Sequence, residues 1–214
     1  MYLGLPRSYR PTSHKHRTGK QALTQHFTLE LTTHSAVETQ ESGERLGRLL
    51  QPGHVVALVG ELGTGKTCLT QGIARGLGVE GPVTSPTFIM VNEYRTAGGA
   101  VLYHIDCYRL QEQGVAEALA IGVDELLGGD GICVVEWAER IEPLLPPDRL
   151  AVTLLYVNHT TRHLRLKASG ERHTILLRIY SGSRRTAMSG GLVGQIRAES
   201  GCFWSGLGSP GRAG

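Results

Sequence analysis

Residues 60–67 fit the pattern G-x-x-x-x-G-K-[ST] of a phosphate-binding loop, and no other segment constrains the fold as strongly. The apolar run at 55–59 precedes the loop and predicts a buried strand, while residues 68–75 predict a helix. Strand, glycine-rich turn and helix form the context in which this pattern binds phosphate. The segment therefore predicts a nucleotide-binding α/β protein.

The residue types of the loop suit a triphosphate. Gly60, Gly63 and Gly65 allow positive φ, so successive N–H groups can face an anion at the start of a helix. Lys66 is placed to reach the β- and γ-phosphates, and the Thr67 hydroxyl is placed to bind Mg²⁺. The predicted nucleotide contacts are Gly60, Glu61, Leu62, Gly63, Thr64, Gly65, Lys66, Thr67 and Cys68, with Thr87 in a later, switch-like loop that could sense the γ-phosphate.

Two acids follow apolar runs that predict strands. Asp106 ends the run at 101–105, and Glu136 ends the run at 132–135 in the manner of a Walker B segment. Ligands of open α/β sheets bind beyond the carboxyl ends of the strands, where either acid could hold Mg²⁺ or orient a water. Lys66, Asp106 and Glu136 are the candidate catalytic residues, and Thr67, Asp106 and Glu136 are the candidate metal ligands. Which acid is nearer the metal stays open.

Composition excludes several other classes of protein. The net charge of +3 over 214 residues is too small to argue for nucleic-acid binding by itself. The four cysteines are dispersed without a C-x-x-C pair, which speaks against a disulfide framework or zinc knuckle and fits the cytoplasm. No segment approaches the length of about 18 apolar residues that predicts a membrane span, so no membrane contact is expected.

Three regions follow from composition. Residues 1–25 are basic and lack acids, which predicts a disordered extension, and residues 169–214 are glycine-rich and predict a disordered tail. Between them, residues 26–168 alternate strands with helices, including a loop that leads into a strand over 83–94 and a helical region over 115–127. We therefore predict an α/β, P-loop NTPase-type layered fold, with a mostly parallel central sheet flanked by helices and antiparallel strands at an edge.

Four segments together resemble the bacterial TsaE family. They are the loop at 60–67, S-P-T-F at 85–88, H-x-D-x-Y-R-L at 104–110 with Cys107 in a position where leucine is frequent, and V-E-W at 135–137. The loop alone is generic, whereas the combination is specific, and the resemblance covers about residues 27–167. Cys68 stands where a second threonine is frequent, and neither cysteine replaces a proposed ligand.

The resemblance implies a small ATPase that binds ATP and Mg²⁺. It implies the partners TsaD and TsaB, which install threonylcarbamoyl on the adenosine beside the tRNA anticodon, so that tRNA would be met indirectly through the complex. By position in the family's motifs, Lys66 would contact phosphates, and Thr67 and Glu136 would serve Mg²⁺, with Asp106 a further candidate. Thr87 would lie in the switch-like loop, and Trp137 would neighbour the site.

Two other functions remain open from the residues. A small-molecule P-loop kinase needs an acceptor pocket and an arginine-bearing lid, but the arginines here are scattered without a lid-like insertion. A non-catalytic, nucleotide-gated scaffold or tRNA binder would use the basic extension instead. A guanine-nucleotide switch is disfavoured because no N-K-x-D motif follows the loop.

Overall fold

The computed structural model describes residues 27–86, 89–110 and 114–187, with only the backbone described for 184–187. Its strands are β1 (Phe27–Thr33), β2 (Val55–Val59), β3 (Val91–Arg95), β4 (Val101–Asp106), β5 (Ile132–Glu136), β6 (Arg149–Tyr156) and β7 (Arg162–Ser169). Its helices are α1 (Ala36–Gly47), α2 (Lys66–Gly76), α3 (Gly114–Ala120), α4 (Val123–Gly128) and α5 (Glu171–Ala187), and a 3-10 helix spans Ala138–Leu144.

The strands form one seven-stranded sheet in the order β1-β7-β6-β2-β5-β4-β3. The four central strands β6, β2, β5 and β4 run parallel. Strand β3 pairs antiparallel at one edge, and β7 followed by β1 does so at the other. The predicted fold class is therefore confirmed, with antiparallel strands at both edges of the sheet. Strand β2, which leads into the glycine-rich loop, lies in the middle.

Side chains of β2 alternate between two apolar layers, because successive residues of a strand point to opposite faces. Val56 and Leu58 join the core shared with α1, α2 and α5, whereas Val55 and Ala57 join the core beside α3, α4 and the 3-10 helix. All four residues are buried. Burial on both faces fixes the position of β2, and therefore the point at which the glycine-rich loop begins.

Helices α1 and α2 touch through glycines. A Cβ atom on Gly43 would lie 2.3 Å from the carbonyl oxygen of Leu69, and one on Gly72 would lie 2.0 Å from that of Gln40. Gly47 and Gly76 face the opposite helix equally closely. Any larger side chain at these positions would push the helices apart, so the two backbones are held in direct contact.

The expected tail contains a helix, and that part of the prediction is wrong. Residues of α5 at helical spacing, His173, Leu176, Leu177 and Tyr180, are buried against the sheet and α1. The Tyr180 hydroxyl donates to the carbonyl oxygen of Ser42 at 3.3 Å. Burial of this apolar stripe stabilises α5, so the folded unit extends beyond residue 168. Residues 1–26 and 188–214, which include the predicted extension and the rest of the tail, lie outside the described residues.

One smaller difference from the sequence prediction comes from backbone geometry. The helical region expected over 115–127 is divided into α3 and α4 by Gly122, which has a φ of 76°. The loop expected to lead into a strand over 83–94 does so, and that strand, β3, begins at Val91. Among the helices that the structure describes, none has the length and apolar character needed to cross a bilayer.

Candidate functional site

The glycine-rich loop connects the carboxyl end of β2 to the first turn of α2, as its pattern predicts. Gly60, Gly63 and Gly65 have φ values of 151°, 77° and 98°, which confirms the expected left-handed backbone. A Cβ atom on Gly60 would lie 2.4 Å from the carbonyl oxygen of Leu154, so a side chain there would also collide with β6. Gly65 caps α2 without a side-chain hydrogen bond, which leaves backbone N–H groups at the helix start for a ligand.

Lys66, the first residue of α2, turns back into the loop and is 5% exposed. Its Nζ donates to the carbonyl oxygens of Gly60 at 2.7 Å and Glu61 at 3.0 Å, and lies 3.8 Å from the centroid of the Trp137 ring. Burial lowers the pKa of the ammonium, and nearby acids, Glu136 foremost, offset part of that effect. Backbone carbonyls thus hold the Lys66 amino group within the loop.

Glu136, at the end of β5, is buried and accepts hydrogen bonds from three side chains. The Thr67 hydroxyl donates to Oε2 at 2.9 Å, and the Thr70 hydroxyl donates to Oε1 at 3.1 Å. Nε2 of His104, a residue with no exposed surface, lies 2.8 Å from the same Oε1. These contacts fix the carboxylate in one orientation next to the first turn of α2.

Asp106 lies beside Glu136 because the two residues are register partners of the parallel strands β4 and β5. It is 3% exposed. Its Oδ1 accepts from the backbone N–H of Tyr108 at 2.9 Å, and its Oδ2 accepts from the Ser85 hydroxyl. The two acids therefore lie side by side at the carboxyl ends of β4 and β5, as their positions at strand ends predict.

Seven of the predicted site residues line one cavity of about 350 Å³. They are Leu62, Gly63, Gly65, Lys66, Thr67, Asp106 and Glu136. Gly60 and Glu61 meet the site through their carbonyl oxygens, which bind Lys66, whereas Thr64 turns its hydroxyl to the carbonyl oxygen of Glu61 at 2.8 Å. Cys68 points its thiol at the carbonyl oxygen of Ala36 in α1, and Thr87 lies outside the described residues.

Trp137 forms an aromatic wall of the cavity. Its φ of 58° is left-handed, a conformation that costs a non-glycine residue on the order of 1 kcal/mol. The ring lies 5.1 Å from that of Tyr108, between centroids, and Arg140 stands 5.2 Å from it. The strained backbone turns the indole toward Lys66, so strain is concentrated where polar groups converge.

Sequence reasoning gave no individual role to His104, Thr70 or Tyr108. His104 and Asp106 are two residues apart in one strand and point to the same face, which is a signal that could have placed His104 at the site. Thr70 lies one helical turn after Lys66, and its contact with Glu136 spans 66 positions. Within the described residues, no group of three or more His, Cys, Asp or Glu side chains could hold a metal by itself.

The P-loop class of α/β proteins is defined by a central parallel strand, a glycine-rich loop and a helix that begins with lysine and threonine or serine. This chain has that arrangement, with Lys66 and Thr67 at the start of α2. Residues 33–164 match the family model described as threonylcarbamoyl adenosine biosynthesis protein TsaE. The chain belongs to the TsaE family, whose role is in the biosynthesis of tRNA threonylcarbamoyladenosine.

Similar proteins agree in sequence and in structure. The chain is 39% identical over 139 residues to the tRNA threonylcarbamoyladenosine biosynthesis protein TsaE of Bacillus subtilis, across 65% of this chain and 85% of the relative. It is 42% identical over 120 residues to the protein of that name from Treponema pallidum, across 56% and 86% respectively. The crystal structure of Bacillus subtilis YdiB superposes with a TM-score of 0.64 at 33% identity, covering 75% of this chain and 98% of that one.

Proposed function

We propose that this chain is a Mg²⁺-dependent ATPase that supports threonylcarbamoylation of the adenosine beside the tRNA anticodon, acting with the TsaB–TsaD complex. The observation that carries the proposal is the convergence of Lys66, Thr67, Asp106 and Glu136 on one cavity at the mouth of the loop. A buried cation, a hydroxyl and two carboxylates at the start of a helix suit a metal-bound triphosphate. TsaB and TsaD come from the family resemblance, and tRNA would be met through them.

The residues present fit both ATP and Mg²⁺. The N–H groups at the start of α2 and the ammonium of Lys66 would hold the phosphates. The hydrogen that Thr67 donates to Glu136 leaves lone pairs on its hydroxyl oxygen, which would bind the metal. Glu136 and Asp106 would hold the metal directly or through its waters. Bound Mg²⁺ would neutralise charge on the β- and γ-phosphates.

Glu136 is held in a way that suits orienting an attacking water. Thr70 and His104 both contact its Oε1, and that contact restricts rotation of the carboxylate. A carboxylate held in this way loses no further freedom when it orients a water. Tyr108 and Trp137 line the same cavity and would limit the access of other water.

The free thiols of Cys68, Cys107 and Cys133 support a cytoplasmic location. Burial raises the pKa of Cys107 and Cys133 to about 12, so both thiols stay protonated and act as small core residues. This protein would then require no disulfide for stability within its described residues.

Release of inorganic phosphate from ATP and from GTP, measured with and without the TsaB–TsaD pair, tests the function. We expect turnover with ATP, preference over GTP, and a rise of about tenfold or more when the pair is present. No small acceptor is added, so phosphate release distinguishes an ATPase from a small-molecule kinase. Absence of turnover in every mixture, with Mg·ATP still bound, would favour the scaffold and overturn the ATPase.

A matched pair of variants connects turnover to the site. Asp106→Asn removes a charge beside Glu136, and Asp124→Asn removes one from the exposed surface of α4. We expect Asp106→Asn to lower turnover by about tenfold or more because a candidate metal ligand is lost. Asp124→Asn should match the wild type. Equal turnover in both variants would remove Asp106 from the proposed site.

A further inference from the structure

Arg162 contacts the glycine-rich loop although it lies about 100 residues later in the sequence. It is the first residue of β7 and follows the connection that brings β6 back antiparallel. Within that connection, Oδ1 of Asn158 accepts from the backbone N–H groups of Thr160 at 3.0 Å and Thr161 at 2.9 Å. The turn is thus internally fixed and sets the position from which Arg162 extends.

The guanidinium of Arg162 donates only to carbonyl oxygens among the described residues. Nε donates to Thr64 at 3.1 Å and Nη2 donates to Gly63 at 3.2 Å, both in the loop. Nη1 donates to Asn158 at 2.7 Å and Thr161 at 3.0 Å, both in its own turn. The group therefore joins its own turn to the loop, whose two residues lie 98 and 99 positions before Arg162 in the sequence.

The guanidinium of Arg162 also packs on an aromatic ring. Its Cζ atom lies 4.8 Å from the centroid of the Tyr156 ring, the last residue of β6. An aromatic face supports a planar guanidinium through both charge and stacking. With a ring beneath it and two carbonyls of its own turn bound, the arginine presents its remaining donors to the loop in a fixed direction.

The direction of the loop carbonyls decides the direction of the loop N–H groups. In a trans peptide the C=O and the following N–H point to opposite sides, and the described chain contains no cis peptide. Holding the Thr64 carbonyl toward Arg162 therefore turns the Gly65 N–H away from it. Gly63 and Gly65, both at positive φ, are residues whose backbone has the widest conformational freedom, so additional contacts are needed to select one orientation of these peptides.

We propose that Arg162 is a positioning residue, which orients the peptides after Gly63 and Thr64 so that the loop is preformed before phosphate arrives. The inference rests on the proposed function, because it assigns the held loop to nucleotide binding. Arg162 itself contacts carbonyls and lies outside the residues that line the cavity. It acts on the ligand through the backbone, and the planar fork of donors is the property that matters.

Arg162→Lys is the decisive variant, since it keeps the charge and removes the fork. A lysine cannot bind four carbonyls in one plane, so the loop peptides would rotate. We expect the dissociation constant for Mg·ATP to rise by about tenfold in Arg162→Lys and by somewhat more in Arg162→Ala. Arg165→Ala is the control: it removes the same charge from an exposed position on β7, where Nε pairs with Glu30.

Calorimetric titration of these three variants and the wild type with Mg·ATP gives the affinities, and melting by circular dichroism checks that each is folded. Rescue of affinity to within twofold by lysine would mean that charge alone acts, and would overturn the proposal. A nucleotide-free spectrum supplies a second readout. The ¹⁵N resonance of Gly65 reports the hydrogen bond at the preceding carbonyl, and we expect it to shift in Arg162→Lys and not in Arg165→Ala.

The two readouts separate this inference from the proposed function. Failure of the wild type to bind Mg·ATP would overturn nucleotide binding, and the nucleotide-free spectra would still decide whether Arg162 holds the loop. An unshifted Gly65 resonance in Arg162→Lys would overturn the positioning role, whatever the wild type binds. Wild-type binding together with weaker binding and a shifted resonance in Arg162→Lys would support both.

Discussion

Two buried histidines, each paired with a carboxylate, lie at opposite ends of the central strands; Glu136 is buried as well, whereas the side chain of Asp148 is 36% exposed. At the carboxyl end, Nε2 of His104 is 2.8 Å from Glu136, and at the amino end, Nδ1 of His173 is 2.6 Å from Asp148. His173 uses its second nitrogen to accept from the N–H of Val55 at 3.2 Å. Both ring nitrogens of His173 are therefore occupied, and the pair ties α5 to the start of β2.

The pair at the carboxyl end is arranged differently. Glu136 also accepts from Thr67 and Thr70 and faces a cavity, while Nδ1 of His104 is buried without a hydrogen-bond partner among the described residues. An unsatisfied buried nitrogen costs stability that a purely structural pair would avoid. The comparison teaches that a similar contact can fasten a helix or hold a carboxylate that faces a cavity, and that the neighbouring residues distinguish the two.

The largest expected effect is at the carboxyl end. Lys66→Ala should weaken Mg·ATP binding by about 100-fold or more, because the loop loses the ammonium that pairs with phosphate. Its free energy of unfolding should not decrease, since a desolvated charge is removed. Isothermal titration and urea unfolding measure the two quantities. Lys167→Ala, at an exposed position on β7, is the control, and tight binding by Lys66→Ala would break the comparison.

Glu136→Gln tests whether the held carboxylate is reactive. The substitution keeps the shape of the side chain and removes its charge, so turnover of Mg·ATP should fall by about 100-fold while affinity changes by less than about fivefold. Phosphate release under saturating ATP is the measurement. Glu142→Gln changes an acid that is 58% exposed and should leave turnover unaltered. Equal rates in the two variants would make the carboxyl-end pair structural too.

His173→Ala should affect stability instead. It leaves the Val55 N–H and Asp148 without their partner, so the free energy of unfolding should fall by about 2–3 kcal/mol. Under conditions in which the variant is fully folded, its affinity for Mg·ATP should stay within about twofold of the wild-type value, since the site is at the other end of β2. Urea unfolding compares it with His159→Ala, which alters an exposed histidine. A larger loss of affinity than of stability would contradict the fastening role.

Acid should weaken the amino end first. Burial lowers the pKa of His54 from 6.5 to about 4, with His173 adding to the effect, and burial also lowers the pKa of His173. The unfolded chain therefore binds more protons between pH 6.5 and 4, so stability is complete above pH 6.5 and falls as pH drops toward 4. Protonation of His173 would also place a hydrogen on Nε2, which could then no longer accept from the Val55 N–H.

Urea unfolding between pH 7.5 and 4.5 measures this loss, which we expect to be about 2–3 kcal/mol, most of it from His54. In His54→Asn an amide oxygen can still accept from the Gln51 N–H, the bond that Nδ1 of His54 now makes. That variant should show a shallower decline with acid than the wild type. An unchanged slope would assign the acid sensitivity to other groups.

The parts of the site that the sequence predicts are the parts that are local. The glycine positions, Lys66 and Thr67 lie within eight residues, and the backbone there needs positive φ that glycine adopts without strain. Asp106 and Glu136 were predictable because each ends an apolar run, and parallel strands bring their carboxyl ends to one edge.

The parts that the sequence did not predict depend on distant contacts. Arg162 bonds the loop across 98 and 99 positions, a pairing set by where the β6–β7 turn falls. Helix α5 was missed because Ile175 and Ile179 are apolar but exposed, whereas Leu176 and Tyr180 beside them are buried, which obscures the helical period. Tertiary packing decides which of these apolar residues are covered, and a local pattern carries no such information.

The glycine contacts between α1 and α2 have a mechanical consequence. Because the two backbones touch at four glycines, the pair cannot slide there without a steric clash. Lys66 and Thr67 are the first residues of α2. A movement of α1 would therefore be transmitted directly to the glycine-rich loop.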